Sequence, residues 1–503
     1  MSENNFNIPS RQSAKGIIVF FGVSVYKVIK GLIIVIAAFF LKYFQSGEAL
    51  DIYNYKVILS VAAFILYFII FAILKYLNFK FYINKDYFIL KQGIINKEET
   101  SISKSKIQNV YIKQNVIQQL INVVSLSIET AGDDKTEIEI KALSKPKAEA
   151  LKKQLLSGAK VEDNLEKKEN IKKSVETTNV YYKASFKKLL LEGISENHLK
   201  SLVFVLAFIF GLYNDFKEFI KQFKVTSRFN EYFELDEQAL LGLIMFNVTL
   251  LILLLITSFL FSLIKTVVQN FNLTVYRKKD GLEISKGLFN KINLGLVSSR
   301  IQNTTISTNK FKKALGLYKL SFTQAMVNKK QQLKFNIIGL NKTQINELIN
   351  EFYSGVYTSI QKYKPNRYFI LKEIMVNIFL LLLINIPIIF APPLVFLINI
   401  PLVILFAANT LYAYKKAYYS IDNKYIVVGT GKLIETHTSF LETHKVQAVK
   451  IKQTIFQKKR KLATVKVYSA SKAITIPHIE LNIARDIKNF LLYKVESEDR
   501  DWM

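Results

Sequence analysis

Six apolar runs interrupt this chain, at about residues 25–44, 55–77, 199–213, 240–268, 374–390 and 394–412. Several reach the roughly 20 residues that a helix needs to cross a hydrocarbon core. A lipid-spanning segment must satisfy its own backbone hydrogen bonds, so each run is read as a helix. The runs fall in three pairs, and the chain after each pair is rich in charge. Half of the 503 residues are hydrophobic, yet the formal net charge is +30. Apolar and basic residues must be segregated to coexist in one fold, which excludes an average soluble globular protein.

The first run carries Lys27 and Lys30 in its opening turns, where long lysine stems can reach back to the interface. The preceding "RQSAKGIIVFFGVSVYK" reads as an interfacial approach helix. Cleavage after the first run would need a small-residue site, and "AAFFLKYFQSGEAL" offers a poor one, so the N-terminus is expected to be retained. Orientation follows from the lysine and arginine bias. "QSGEALDIYN" has no basic residue, 214–238 has four basic residues against six acidic ones, and "FAPPL" has no charge. The strongly basic segments and both termini therefore share one side, which the positive-inside rule makes cytoplasmic. The absence of cysteine excludes disulfide and thiol chemistry and suits that compartment.

Aligning Ile107, Ile301 and Val446 brings three segments into step without a gap for the next 21 residues. Gln108, Gln302 and Gln447 follow the anchors directly. Ile112, Ile306 and Ile451 come next in register, then Ile117, Phe311 and Phe456, then Val123, Leu317 and Leu462. Gly93 and Gly287 precede their anchors by 14 residues and Gly431 by 15. The repeat is of whole domains. Each opens with a hairpin, as in "FKFYINKDYFILKQG", continues through the anchor strand and strands such as "TEIEIKAL", and closes with a helix such as "NKTQINELINEF" behind the N-cap Asn341.

The "KIQNV", "RIQNT" and "KVQAV" anchors, the upstream glycine and "KKALGL" resemble bacterial membrane proteins with pleckstrin-homology-like domains of the second bacterial type, in a three-repeat arrangement of two helices plus one domain. The resemblance covers nearly the whole chain. It implies a multi-domain membrane protein: six transmembrane α-helices in three pairs, each followed by a small α+β PH-like domain, an antiparallel β-barrel or sandwich plus a C-terminal helix. The expected division is 1–77 for the N-terminal segment and first pair, 78–157 for domain 1, 158–198 for a charged linker, and 199–268 for the second pair. Domain 2 then takes 269–356, the third pair 357–415 and domain 3 416–495. The family further implies a membrane-embedded, non-enzymatic protein, often acting with a shorter single-domain relative. One departure bears on shape: Gly316 of "ALGL" is replaced by Asn122 in the first unit and by Lys461 in the third. Lysine tolerates a left-handed backbone poorly, so the third unit is expected to turn differently.

No constellation for catalysis stands out. His437, His444 and His478 lie near Glu435, Glu442 and Glu480, but the spacing matches no compact zinc motif, and Ser105 and Ser299 stand where His444 does. They are read as surface or partly buried histidines, with no metal and no cofactor. "GTGKL" at Gly429 lacks the leading glycine and the following helix of a phosphate loop. Asn247, Thr249, Asn377 and Asn385 are polar residues inside the spans, without a central Asp or Glu for an ion path. Pro387, Pro392, Pro393 and Pro401 bend or interrupt the last pair, read as a tight re-entrant hairpin in preference to a cavity lining.

The clustered basic residues are the candidate site. They are Lys450, Lys452, Lys458, Lys459, Arg460 and Lys461 in the third unit, Lys310, Lys312 and Lys313 in the second, and Lys104, Lys106 and Lys113 in the first. Near an anionic leaflet each such charge contributes about 1 kcal/mol. Nucleic acid is set aside, because the base-stacking motif of sheet-based binders is missing. The expectation is a multi-pass protein of the bacterial plasma membrane, its domains and both termini cytoplasmic, acting as a scaffold or adaptor in envelope stress protection. Its partners would be anionic lipid headgroups and proteins. The alternative is a transporter or lipid-handling protein with PH-like regulatory domains; the oligomeric state stays open.

Overall fold

The alternating apolar residues of "FKFYIN" and "YFILKQ" form β1 (Lys80–Asn84) and β2 (Tyr87–Gln92), an antiparallel hairpin. Lys85 turns the chain between them with a left-handed φ of 51°. The structure, a computed structural model, describes residues 6–26, 28, 55–130, 137–157, 179–198, 201–207, 237–279, 281–324, 335–356, 361–388 and 393–497. The chain forms two compact units, one drawn from residues 1–177, 196–271 and 285–294, the other from 178–195, 272–284 and 295–503.

In the first unit β3 (Glu98–Ser103) completes a three-stranded sheet with β1 and β2. Gly93 lies at the β2–β3 turn with φ 109°, where a Cβ would stand 1.9 Å from the Asn96 carbonyl oxygen. Gly287 repeats that geometry, 2.0 Å from the Asn290 oxygen. The repeated glycine therefore marks a turn with no room for a side chain. β4 (Ile107–Gln114), β5 (Val124–Thr130) and β6 (Glu137–Leu143) form the opposing antiparallel layer. Phe81, Phe88 and Leu90 of the first sheet pack with Val110, Leu126 and Ile140 of the second. Leu151 and Leu155 of the closing helix Lys145–Ser157 seal the core. β4 and β5 slip register between Ile107 and Asn109, so Gln108 sits at a bulge. The same slip occurs at Gln302, so the residue after the anchor marks a bulge in both strands.

Two further modules follow along the chain. β7 (Asn179–Lys183) pairs with β8 (Thr274–Lys278), beside which run β9 (Gly281–Lys286) and β10 (Lys291–Val297). β11 (Ile301–Asn309), β12 (Tyr318–Gln324) and β13 (Phe335–Leu340) follow, closed by the helix Lys342–Phe352. Asn341 caps that helix in a capping box with Gln344, as the sequence predicts. The third module has β14 (Tyr418–Ile421), β15 (Tyr425–Gly431) and β16 (Glu435–Glu442) in one sheet. β17 (Ala448–Lys452), β18 (Leu462–Tyr468) and β19 (Ala473–Glu480) form the other, under the helix Leu481–Ser497.

Each first strand also gains a neighbour from the segment ahead of its helix pair. Ser10 bridges Phe81, β7 pairs with β8, and Tyr363 bridges Tyr419. This corrects part of the charged linker expected over 158–198. From Asn179 onward that segment is strand β7 and the amphipathic helix Phe186–Ile194, whose Leu189 is buried. Tyr182 of β7 anchors it by donating its hydroxyl to the Gly339 carbonyl at 2.8 Å.

Three described helices are long and apolar enough to cross a membrane: Val248–Asn270, Tyr368–Ile386 and Phe396–Lys416. The apolar helix Tyr55–Leu77 runs directly into β1. The expected runs at 25–44 and 199–213 lie largely outside the described residues, so six paired spans are not established by the structure. In the last pair Asn385 and Asn399 exchange reciprocal amide hydrogen bonds at 2.9 and 2.8 Å, and Asn377 donates to Thr410 Oγ1 at 2.8 Å. Such polar pairs act as interhelical glue in lipid.

Candidate functional site: a basic and apolar tip on each module

The anchor strand of each module ends in the same device. Asn115, Asn309 and Thr454 stop the strand and cap a five-residue helix, respectively Val116–Leu120, Lys310–Ala314 and Ile455–Lys459. Asn115 with Gln118, and Thr454 with Gln457, form complete capping boxes. The capping glutamines are buried, where Gln118 Nε2 donates to the Lys141 carbonyl at 2.7 Å and Gln457 Nε2 to Thr464 Oγ1 at 2.9 Å. The second module has Lys312 at this position. Its backbone N–H donates to Asn309 Oδ1 at 2.7 Å, while its ammonium forms an ion pair with Glu192.

Each short helix leaves through a left-handed residue: Asn122 at φ 59°, Gly316 at 68° and Lys461 at 54°. The third tip therefore turns as the others do, contrary to the expectation from its lysine. Tertiary context holds the strained backbone: the Lys461 N–H donates to the Lys458 carbonyl at 3.2 Å, and its own carbonyl accepts from Leu481 N at 2.8 Å.

What the tips expose is apolar as well as basic. Leu120 is 82 % exposed, Phe311 71 %, Ile455 77 % and Phe456 55 %. Around these large side chains the charge rises along the chain. The helix Val116–Leu120 has no lysine, Lys310 and Lys313 flank Phe311, and Lys458, Lys459, Arg460 and Lys461 follow Phe456, all of them exposed. The clustered charge is legible in the sequence, whereas the exposed Leu120 and Ile455 are not, because the repeat does not place an apolar residue at their positions in all three units.

The other predicted residues separate from the tips. Lys450 and Lys452 lie exposed on β17. Lys104 and Lys106 belong to the turn between β3 and β4, and Lys113 lies on β4 with its ammonium 4.5 Å from the Tyr111 ring centre. Lys312 is a correction: it is 6 % exposed and paired with a fully buried carboxylate, so it cannot meet a headgroup or a partner.

The tips stand against the ends of apolar helices. The Arg460 guanidinium lies 4.7 Å from the ring centre of Tyr368, the first residue of the helix Tyr368–Ile388. Lys310 Nζ lies 4.2 Å from the ring of Tyr412, near the last turn of the helix Asn399–Lys416. Ile117 Cδ1 would be 3.4 Å from a Cβ on Gly22, in the apolar helix Gly16–Tyr26. Cation–π pairs of this kind fix a charge beside an apolar helix end.

The histidines have separate partners. His437 Nδ1 lies 2.8 Å from Ser307 Oγ, and His444 Nε2 lies 3.9 Å from Glu442. His478 Nδ1 accepts from Gln457 Nε2 at 2.8 Å, between the rings of Tyr368 and Phe369. Burial, reinforced by Lys372, holds its pKa below the ordinary value. A cleft of about 320 Å³ opens beside the turns 298–300 and 443–445 and the end of the helix Lys342–Phe352, lined by Glu351, Glu442, His444 and Lys445. Lys445 is buried there, paired with Glu442 and donating to the Ile301 carbonyl at 2.8 Å. Among the described residues no three His, Asp or Glu side chains are grouped to hold a metal ion.

Three repeated two-sheet modules with closing helices, set beside apolar membrane-length helices, define a membrane protein with repeated PH-like domains. The sequence profile described as "Bacterial PH domain" matches residues 31–159, 220–354 and 370–495, and the chain belongs to that family. It is similar to the UPF0699 transmembrane protein YdbT of Bacillus subtilis (strain 168), with 23 % identity over 474 residues, covering 90 % of this chain and 91 % of the relative.

Proposed function

We propose that the protein is a non-enzymatic scaffold of the bacterial plasma membrane whose modules face the cytoplasm and engage the anionic leaflet through their tips. The observation that carries this reading is the third tip. Ile455 and Phe456 are exposed beside Lys458, Lys459, Arg460 and Lys461, and Arg460 stacks on the first residue of a membrane-length helix. An exposed apolar pair would enter the headgroup region while the adjacent cations hold acidic phosphates. The helices keep each module beside the bilayer, so individually weak contacts act at high effective concentration. Tip residues left free of lipid would serve partner proteins, including a shorter single-module relative.

The test uses the full chain, which has no cysteine of its own. A Phe456→Cys variant carrying an environment-sensitive fluorophore is reconstituted in zwitterionic and in anionic bilayers. A blue shift confined to anionic bilayers, lost on reversing Lys458, Lys459 and Lys461 to Glu, is expected. Equal spectra in the two lipids would remove the lipid reading.

A further inference from the structure

Two seams in the fold share one register. In the first, β4 pairs with β10, so that Ile112 faces Asn293, Lys113 faces Ile292 and Gln114 faces Lys291. In the second, β11 pairs with β16, where Ile306 faces Thr438, Ser307 faces His437 and Thr308 faces Thr436. Counted from the anchors Ile107, Ile301 and Val446, the pairing rule is identical. The residue five past one anchor faces the residue eight before the next. The last strand of one module's opening sheet thus docks on the anchor strand of the module before it.

Among the described residues, the two remaining counterparts of the seam strands lie at sheet edges. Among the described residues β3, the counterpart of β10 and β16, pairs with β2, and β17, the counterpart of β4 and β11, pairs with β18. Exposure tracks this difference at matching positions. Thr305, Ser307 and Thr308 in the seamed part of β11 are half-buried, whereas Lys450, Lys452 and Gln453 at the matching positions are exposed.

The shared register, applied to these two edges, sets Lys452 opposite Glu98, Lys450 opposite Thr100 and Ile451 opposite Glu99. Lys452 and Glu98 would take the position where Ser307 and His437 hydrogen-bond at 2.8 Å. Lys450 becomes the diagonal neighbour of Glu98, close enough for a long side chain to interact. Lys97, the nearby cation on the β3 side, falls opposite the uncharged Gln453. Glu98 and Glu99 are exposed on β3, as Lys450 and Lys452 are on β17. Charged edges resist indiscriminate strand pairing, and edges of opposite sign select each other.

We propose that β17 of one copy pairs antiparallel with β3 of a second copy, repeating between chains the seam that the fold makes twice within one. Such a contact is heterologous: each copy retains one free edge of each kind, so it builds rings or linear arrays in place of a closed two-fold dimer. It rests on strand register alone and stands whether or not the tips bind lipid, although it assigns Lys450 and Lys452 to a protein edge.

Cysteine pairs in full-length chains, expressed in native membranes, test it. One tagged copy carries Glu98→Cys and a differently tagged copy carries Lys452→Cys. Oxidation is expected to give a product of twice the chain mass bearing both tags, and none when Lys459→Cys replaces Lys452→Cys. Ser307→Cys with His437→Cys in one chain reports that a known seam of this register crosslinks under the same conditions. A second pair, Ser101→Cys with Val449→Cys, reads the charge. Its yield should fall several-fold when Lys452→Glu is added to the second copy and recover when the first carries Glu98→Lys. The proposal is overturned if the internal control closes while no mixed product forms. It is equally overturned if a chain carrying both cysteines closes only on itself, or if the cysteines trap only a different protein.

Discussion

Lys312 shows how a single side chain changes role inside a repeated frame. The first and third tips place a glutamine at this point, while the second places a buried ammonium against the fully buried Glu192. Removing one partner leaves an uncompensated charge, so Lys312→Ala should destabilise the second module by roughly 3–5 kcal/mol. Lys312→Met combined with Glu192→Leu should recover most of that loss. Thermal melts of the detergent-purified protein check both. The role was hidden in the sequence because the partner lies 120 positions away, in a segment whose lysines and glutamates read as a tether. His478 gives a pH signature. Burial lowers its folded-state pKa below the ordinary 6.5, so the unfolded chain takes up the proton first. Its stability contribution is complete above about pH 6.5 and declines as the pH falls towards the folded-state pKa. His478→Asn should flatten that decline, since asparagine also tolerates the φ of 51° at this position.

The tip is the element on which the three modules agree most closely. A cap, one turn of helix and a left-handed residue recur although the last of these is Asn, Gly or Lys. Relieving the left-handed strain with Lys461→Gly should stabilise the third module by about 1 kcal/mol, read as a raised melting temperature. Unchanged stability would mean that the turn carries no strain. The strands, the closing helices and the threefold phase were legible because period-two alternation and repeated anchors record burial directly. Two features were not. The bulge at Gln108 and Gln302 appears only when the strands are paired, and the turn at Lys461 follows its neighbours against local propensity. Tertiary context overrides a cost of this size.

For the whole molecule, one arrangement accounts for the basic segments, the apolar tips and the membrane-length helices together. In the proposed arrangement every module lies on the cytoplasmic side, next to the leaflet richest in anionic lipid. The segments between paired runs, such as "QSGEALDIYN", then lie outside. The proposed sidedness rests on charge asymmetry in the sequence, while the contacts of Arg460 with Tyr368 and Lys310 with Tyr412 came only with the fold. The cysteine-free chain allows the sidedness to be measured position by position in living cells with a membrane-impermeant thiol reagent. Single cysteines at Lys106, Phe311 and Lys459 should stay unlabelled until the cells are permeabilised, while one at Ser46 labels at once. External labelling at any of the three module positions would contradict the account.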